Sequence, residues 1–248
     1  MKKALVIVLL VAGVWLWLRE SPSSQLINPL GATPTLAPHK TITVNDNTYA
    51  YAFSVVSDPN QLKLVPNYTE QASSKDLVQS HVCKLAINGG FYDQNNRPLG
   101  LVIAEGQLIN SARANSLLNG FFSLSASGSS RIDYALHFDD KLALQSGPIV
   151  ITEGNAVDLR LTDDKTSRRM VAALAGNSVV FISVFNPVVE VLGPRLDDLP
   201  EILMAISDTE KLELDSAINL DGGKASAFYS PDTILSEVTP VGSLLCMR

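Results

Sequence analysis

With 248 residues, 46% of them hydrophobic, the chain can bury a sizeable core, and two cysteines are too few for a disulfide-stapled miniature. A net charge of −6, with 19 Lys and Arg scattered along the chain, leaves no basic stripe to neutralise a phosphate backbone. Nucleic acid is therefore excluded as the expected partner.

In chain order, Lys2 and Lys3 precede an uncharged apolar run from Ala4 to Leu18, which has the outline of an export signal. Residues 1–20 read as a signal peptide or a membrane anchor. Trp15, Trp17 and Arg19 suit a short anchor, and no Ala-x-Ala cleavage site follows, so the retained anchor is favoured. Residues 21–40 are rich in Ser, Pro and small side chains without apolar period and read as a flexible linker. The globular part is expected over residues 41–248, exported, on the extracytoplasmic side of the membrane. In an oxidising compartment Cys83 and Cys246 would pair if the fold brings them together; otherwise they are two buried thiols.

Within that part most segments read as strands. Residues 41–56 contain two β-branched and aromatic runs around Asn45-Asp46-Asn47, and further strands are expected in 62–68, 84–88, 99–111, 120–126, 131–138, 141–146 and 148–161. Residues 170–184 place two apolar runs around Gly176-Asn177, a hairpin signal. Helices are expected at 73–83, behind Ser73 and Asp76, and at 195–208, where Leu196, Leu199, Ile202, Leu203 and Ile206 follow a helical period with Pro200 in the first turn. The expected fold class is α+β: a single domain dominated by one or two mainly antiparallel sheets, with a few covering helices, behind the N-terminal signal-anchor.

Glycine and polar residues interrupt the apolar runs at Asn88-Gly89-Gly90-Phe91-Tyr92-Asp93, at Gln145-Ser146-Gly147-Pro148 and at Asp221-Gly222-Gly223, and Arg168-Arg169 stand just ahead of another strand. Each alone reads as turn chemistry or a solvated edge. Together, at strand ends, they can share one rim, with the glycines leaving room for a ligand to approach the backbone.

These segments, in this order, resemble the phosphodiester glycosidase family over roughly residues 41–248. The most specific pieces are Asn88-Gly89-Gly90-Phe91 and Leu220-Asp221-Gly222-Gly223. Two departures stand out. Family members often extend Asp-Gly-Gly with Gly and Ser where this chain has Lys224-Ala225-Ser226, and their Arg-Thr-Ala-Ile-Gly segment reads Arg169-Met170-Val171-Ala172 here. The resemblance implies hydrolysis of a sugar 1-phosphodiester in the cell envelope, yielding a phosphomonoester and a free sugar.

That chemistry needs a carboxylate at the anomeric carbon and positive charge on the leaving phosphate. Asp221 is expected as base or nucleophile, Asp93 as its partner or a sugar-hydroxyl ligand, and Arg169, with its planar fork, as the phosphate clamp. Asn88, Gly89, Gly90, Ser146, Gly147, Arg168, Gly222 and Gly223 are expected to bind substrate, the glycines through backbone N–H groups. His39, His81 and His137 are isolated, and no metal or cofactor is expected. Asp139-Asp140 and Asp163-Asp164-Lys165 read as solvated turns. The rivals are a non-catalytic envelope module that binds a glycan or phosphopolymer on the same rim, and a structural sheet domain whose glycines are only turns.

Overall fold

Strands dominate from the first described residues. The computed structural model describes residues 39–137 and 139–248; the expected signal-anchor and most of the linker lie outside them. The first half carries β1 (Lys40–Val44), β2 (Asn47–Val56), β3 (Leu62–Pro66), helix α1 (Ser74–His81), β4 (Leu85–Asn88), β5 (Val102–Ala104), β6 (Gln107–Asn110), β7 (Gly120–Ser125) and β8 (Ser130–Asp133). The second carries β9 (Asp140–Ser146), β10 (Ile149–Thr152), β11 (Asn155–Ala156), β12 (Arg169–Ala175), β13 (Ser178–Phe185), helix α2 (Leu199–Glu210), β14 (Ser216–Asn219), β15 (Phe228–Tyr229), β16 (Ile234–Leu235) and β17 (Ser243–Met247).

The strands form three sheets rather than one or two: a seven-stranded sheet in the order β1-β2-β13-β12-β14-β10-β11, a second of order β16-β15-β4-β17-β3 and a third of order β6-β5-β9-β7-β8. Every pairing is antiparallel. The two expected hairpins form as their turn residues dictate. Asn45 and Asp46 both take positive φ between β1 and β2, and Gly176 does so between β12 and β13. The run at 131–138 pairs only as far as Asp133, and no strand forms between Ala156 and Arg169.

Side-chain alternation builds two layers at once. Along β12, Met170 and Ala172 face a core shared by all three sheets, whereas Val171 and Ala173 face α2. Helix α2 covers that outer face with Leu199, Ile202, Leu203 and Ile206, the i, i+3, i+4, i+7 stripe of an amphipathic helix. Burying each of those side chains contributes roughly 1.5–3 kcal/mol before chain entropy is counted. Helix α1 is capped by Ser73, whose Oγ accepts from Asp76 N–H at 3.1 Å, and packs Leu77 against the outer face of the second sheet. The described residues belong to one compact unit, and among them no helix is long and apolar enough to cross a membrane.

Cys83, just after α1, is bonded to Cys246 in β17, with Cα atoms 5.3 Å apart and a separation of 163 residues. Because β3 and β4 already hold β17 in place, the bridge acts mainly by restricting the unfolded chain. Reduction is expected to lower stability by about 2–5 kcal/mol. Urea denaturation with and without dithiothreitol measures this, and an unchanged midpoint would contradict it.

Three of the glycine-bearing interruptions share a topological role. Residues 89–101 carry the chain from the second sheet to the third, Gly147-Pro148 from the third to the seven-stranded sheet, and Leu220–Ala227 from the seven-stranded sheet back to the second. Each crossing leaves a strand end and turns at the seam between two sheets, so the three lie around one corner of the core.

Candidate active site

The crossing after β14 is pinned from both sides. Leu220 N–H donates to Met170 O (2.7 Å), Asp221 N–H to Gly89 O (3.2 Å) and Gly223 N–H to Arg168 O (2.9 Å). A Cβ on Gly222 would lie 2.5 Å from Arg168 O, and Gly223 adopts φ +62° to enter a short 3-10 turn. The close approach that demands glycine here is therefore to the protein's own backbone. Asn88 completes the clamp. Buried at the end of β4, it donates Nδ2–H to Asp221 O (2.8 Å) and Gly89 O (3.1 Å), while its Oδ1 accepts from Ala227 N–H (3.0 Å).

So held, Asp221 sits on the wall of a cleft of about 590 Å³ that Arg169, Ser167, Lys165, Thr162 and Asp164 also line. The residue is half-buried at the cleft wall. Burial pushes its carboxyl up from 3.8 to about 7, and the 2.9 Å hydrogen bond from Gly222 N–H to Oδ1 only partly opposes this. Its charge in turn helps burial to raise the pKa of Tyr68 and Tyr92, and Tyr68 is pushed to about 12.

Arg169, the first residue of β12, is held by Pro194 O (3.0 Å to Nε) and by Asp164 Oδ1 (3.1 Å to Nη2). Burial lowers its pKa and the Asp164 carboxylate opposes that shift. Nε and Nη2 are committed to these partners and to Lys165 O, while Nη1 has no hydrogen-bond partner among the described residues. The guanidinium is thus fixed in orientation with one nitrogen unspent.

A second cavity, about 260 Å³, adjoins the cleft and shares Arg169, Phe91, Leu117, Leu196 and Gly222 with it; Gly147, Pro148 and Asn219 also line it. The members of the four sequence segments that reach these cavities are Phe91, Gly147, Pro148, Arg169, Asp221 and Gly222. A cavity of about 640 Å³ beside β3 and α1 is lined by none of them.

The other expected residues line neither of these two cavities. Arg168 is 1% exposed and does not meet solvent; Nε donates to Ser226 Oγ (2.7 Å) and Nη2 to Ser236 O (2.8 Å). Asp93 closes a turn, its Oδ1 accepting from Asn95 N–H (2.8 Å) and Arg97 N–H (2.9 Å), bonds that hold its carboxyl below the usual range. Ser146 Oγ donates to Asn219 O (2.7 Å). Gly90 packs against Gln145 O and Leu144. The N–H groups of Gly89, Gly222 and Gly223 are all bonded within the protein, to Ser243 O, Asp221 Oδ1 and Arg168 O, so these three are not free to bind an anion. Nor are the acidic runs simply solvated turns. Asp164 is 3% exposed at its side chain and pairs with Arg169, and Asp140 is buried against Arg131.

A model of the phosphodiester glycosidase family matches residues 81–245. The chain belongs to the phosphodiester glycosidase family. That match runs from the end of α1 into β17 and contains the residues of the cleft. Among solved structures, the catalytic domain of zebrafish N-acetylglucosamine-1-phosphodiester alpha-N-acetylglucosaminidase, auto-inhibited by its pro-peptide, is similar with a TM-score of 0.66 at 16% identity, covering 85% of this chain and 81% of that one. A hypothetical protein from Synechocystis is similar with a TM-score of 0.59 at 13% identity, covering 85% of this chain and 61% of that one. At such identities the likeness speaks to the phosphodiester glycosidase fold alone. No curated protein matches the sequence.

Proposed function

We propose that this protein hydrolyses the glycosidic carbon–oxygen bond of a sugar 1-phosphodiester. The observation that carries the reading is the pairing, in one cleft, of a carboxyl that titrates near neutrality with an arginine that has an unspent nitrogen. Asp164 is engaged by Arg169 and by Asp197 N–H (2.8 Å), and Asp163 is exposed, which leaves Asp221 as the enclosed cleft carboxyl without a cationic partner. As carboxylate, Asp221 takes a proton from water while that water's oxygen bonds to the anomeric carbon. The glycosidic bond breaks toward the phosphate, and Arg169 Nη1–H stabilises the departing phosphomonoester. A phosphomonoester is a good leaving group, so charge stabilisation matters more than protonation of the bridging oxygen.

The same reading includes a location. Lys2 and Lys3 ahead of the apolar run, together with the Cys83–Cys246 bridge, support an exported domain tethered to the membrane. Its partners would then be envelope sugar-phosphate diesters.

The pH profile tests the role of Asp221. If it acts as base, kcat/KM for a phenyl or methyl sugar 1-phosphodiester rises with pH as the carboxyl ionises, reaching half its plateau near pH 7. A profile that falls through the same pH would make Asp221 a proton donor instead. A set of such diesters bound but not cleaved at any pH would favour a binding module.

A further inference from the structure

The two adjoining cavities differ in chemistry, and Arg169 stands where they meet. The cleft is the more polar of the two: beside Phe91, Leu117, Leu161 and Leu196 it is lined by Ser116, Thr162, Lys165 and Ser167, whose side chains make no hydrogen bond among the described residues. The smaller pocket is walled by Phe91, Leu99, Leu117, Leu118, Pro148 and Leu196. Its two asparagines are partly engaged within the protein, and Asn219 Oδ1 is buried without a hydrogen-bond partner among the described residues. Asn115 Oδ1 accepts from Leu117 N–H (2.8 Å) and Leu118 N–H (3.0 Å), and Asn219 Nδ2–H donates to Gly147 O (2.9 Å). At its mouth Leu99 and Leu117 are 37% and 49% exposed, apolar surface that a ligand would cover.

Asp221 lines only the polar cleft, whereas Arg169 and Gly222 line both cavities. A sugar ring, with hydroxyls that all need partners, belongs in the cleft beside Asp221. The phosphate then falls at Arg169, and whatever is esterified to its far side enters the apolar pocket. From this juxtaposition we infer that the substrate is a sugar 1-phosphodiester of an apolar alcohol, aryl or medium-chain alkyl, with the pocket as its aglycone subsite. The inference rests on the proposed hydrolysis and adds the substrate class. A dry cavity of about 150 Å³ accepts benzene, so about 260 Å³ accommodates a phenyl ring or a chain of about six carbons.

Alkyl phosphates, the phosphomonoester products of such diesters, test this without knowledge of the sugar. Calorimetric titration of the full-length protein with methyl phosphate and n-hexyl phosphate is expected to give about 10–100-fold tighter binding of the hexyl ester, since each buried methylene is worth about fourfold and about two or three of the added methylenes would be fully covered in a pocket open at its mouth. Leu99 lines the pocket but not the cleft, and its partial exposure makes it a safe position to alter. Leu99→Ser should shrink the hexyl-to-methyl ratio severalfold, and Leu99→Ile should largely retain it. Equal affinity for the two esters would overturn the apolar subsite and leave the hydrolytic reading standing. A hexyl preference untouched by Leu99→Ser would overturn its assignment to this pocket. Binding of neither ester would remove the phosphate position at Arg169, and both readings with it.

Discussion

Asp221→Asn is expected to lower turnover of a sugar 1-phosphodiester by about 100-fold or more and, at the same time, to make the protein more stable at pH 8. Both effects come from the same burial. The folded protein holds this carboxyl at about 7 against 3.8 in an unfolded chain, so between those values the native state binds the extra proton. The stability linked to that proton is fully present below about pH 4 and is lost as the pH rises through 7. The difference, 7 − 3.8, is about 3 pH units, which sets an upper limit near 4 kcal/mol. The remaining solvent contact at the cleft wall reduces this to about 1–2 kcal/mol. Asn has the shape of the protonated acid and escapes the penalty. Its gain should therefore appear at pH 8 as a melting temperature higher by several degrees, and should vanish near pH 4. Wild-type turnover in the variant would make Asp221 a turn residue, and an equal stability change at both pH values would mean that its carboxylate is not desolvated.

Much of the scaffold was legible in the sequence because hairpins are local. Asn45-Asp46 and Gly176-Asn177 announce their turns, and period-2 runs on either side leave little choice of face. The two helices likewise carried their own signals, a Ser73 cap and the Leu199–Ile206 stripe. The division into three sheets was hidden because it depends on where strands stop, and β15 and β16 of the second sheet are two residues each. No periodicity exists over so short a span.

The site was legible in outline only. The sequence places glycine and acid at strand ends, and the structure shows why the motif looked like a ligand site: a backbone that must cross from one sheet to another needs the same residue types as one that must admit a ligand. Gly222 serves the crossing against Arg168 O, and Asp221, its neighbour, faces the cleft. Asn88 looked like a sugar ligand, yet its amide fixes the Asp221 carbonyl from behind. Asp164 looked like a solvated turn because nothing in Asp163-Asp164-Lys165 foretells that the loop folds it back onto Arg169. Leu196 read as part of a helical stripe and Leu117 carried no signal, since an apolar side chain in a cavity wall has the same local pattern as one in a packed interior.

Adjacent arginines should give opposite phenotypes. Replacing Arg168 by Leu removes the donors to Ser226 Oγ and to the carbonyls of Ser226 and Ser236; Ser226 Oγ keeps its bond to Gly223 O and Ser236 is exposed, but the Ser226 carbonyl is left buried without a partner. Leaving a buried acceptor unpaired costs about 1–3 kcal/mol, a substantial share of a domain's stability. Because residue 168 faces inward, what folded protein remains should retain turnover close to the parent's. Arg169→Lys keeps a cation near Asp164 but loses the fork that holds Pro194 O while presenting a second nitrogen to the cleft. It should lower kcat by about 100-fold, as loss of a positioned transition-state donor does, with a stability cost of about 1 kcal/mol. Urea denaturation and single-turnover rates on the two variants separate the roles. A stable but inactive Arg168→Leu would return that residue to the substrate, and a fully active Arg169→Lys would mean that charge alone, without the planar fork, stabilises the leaving phosphate.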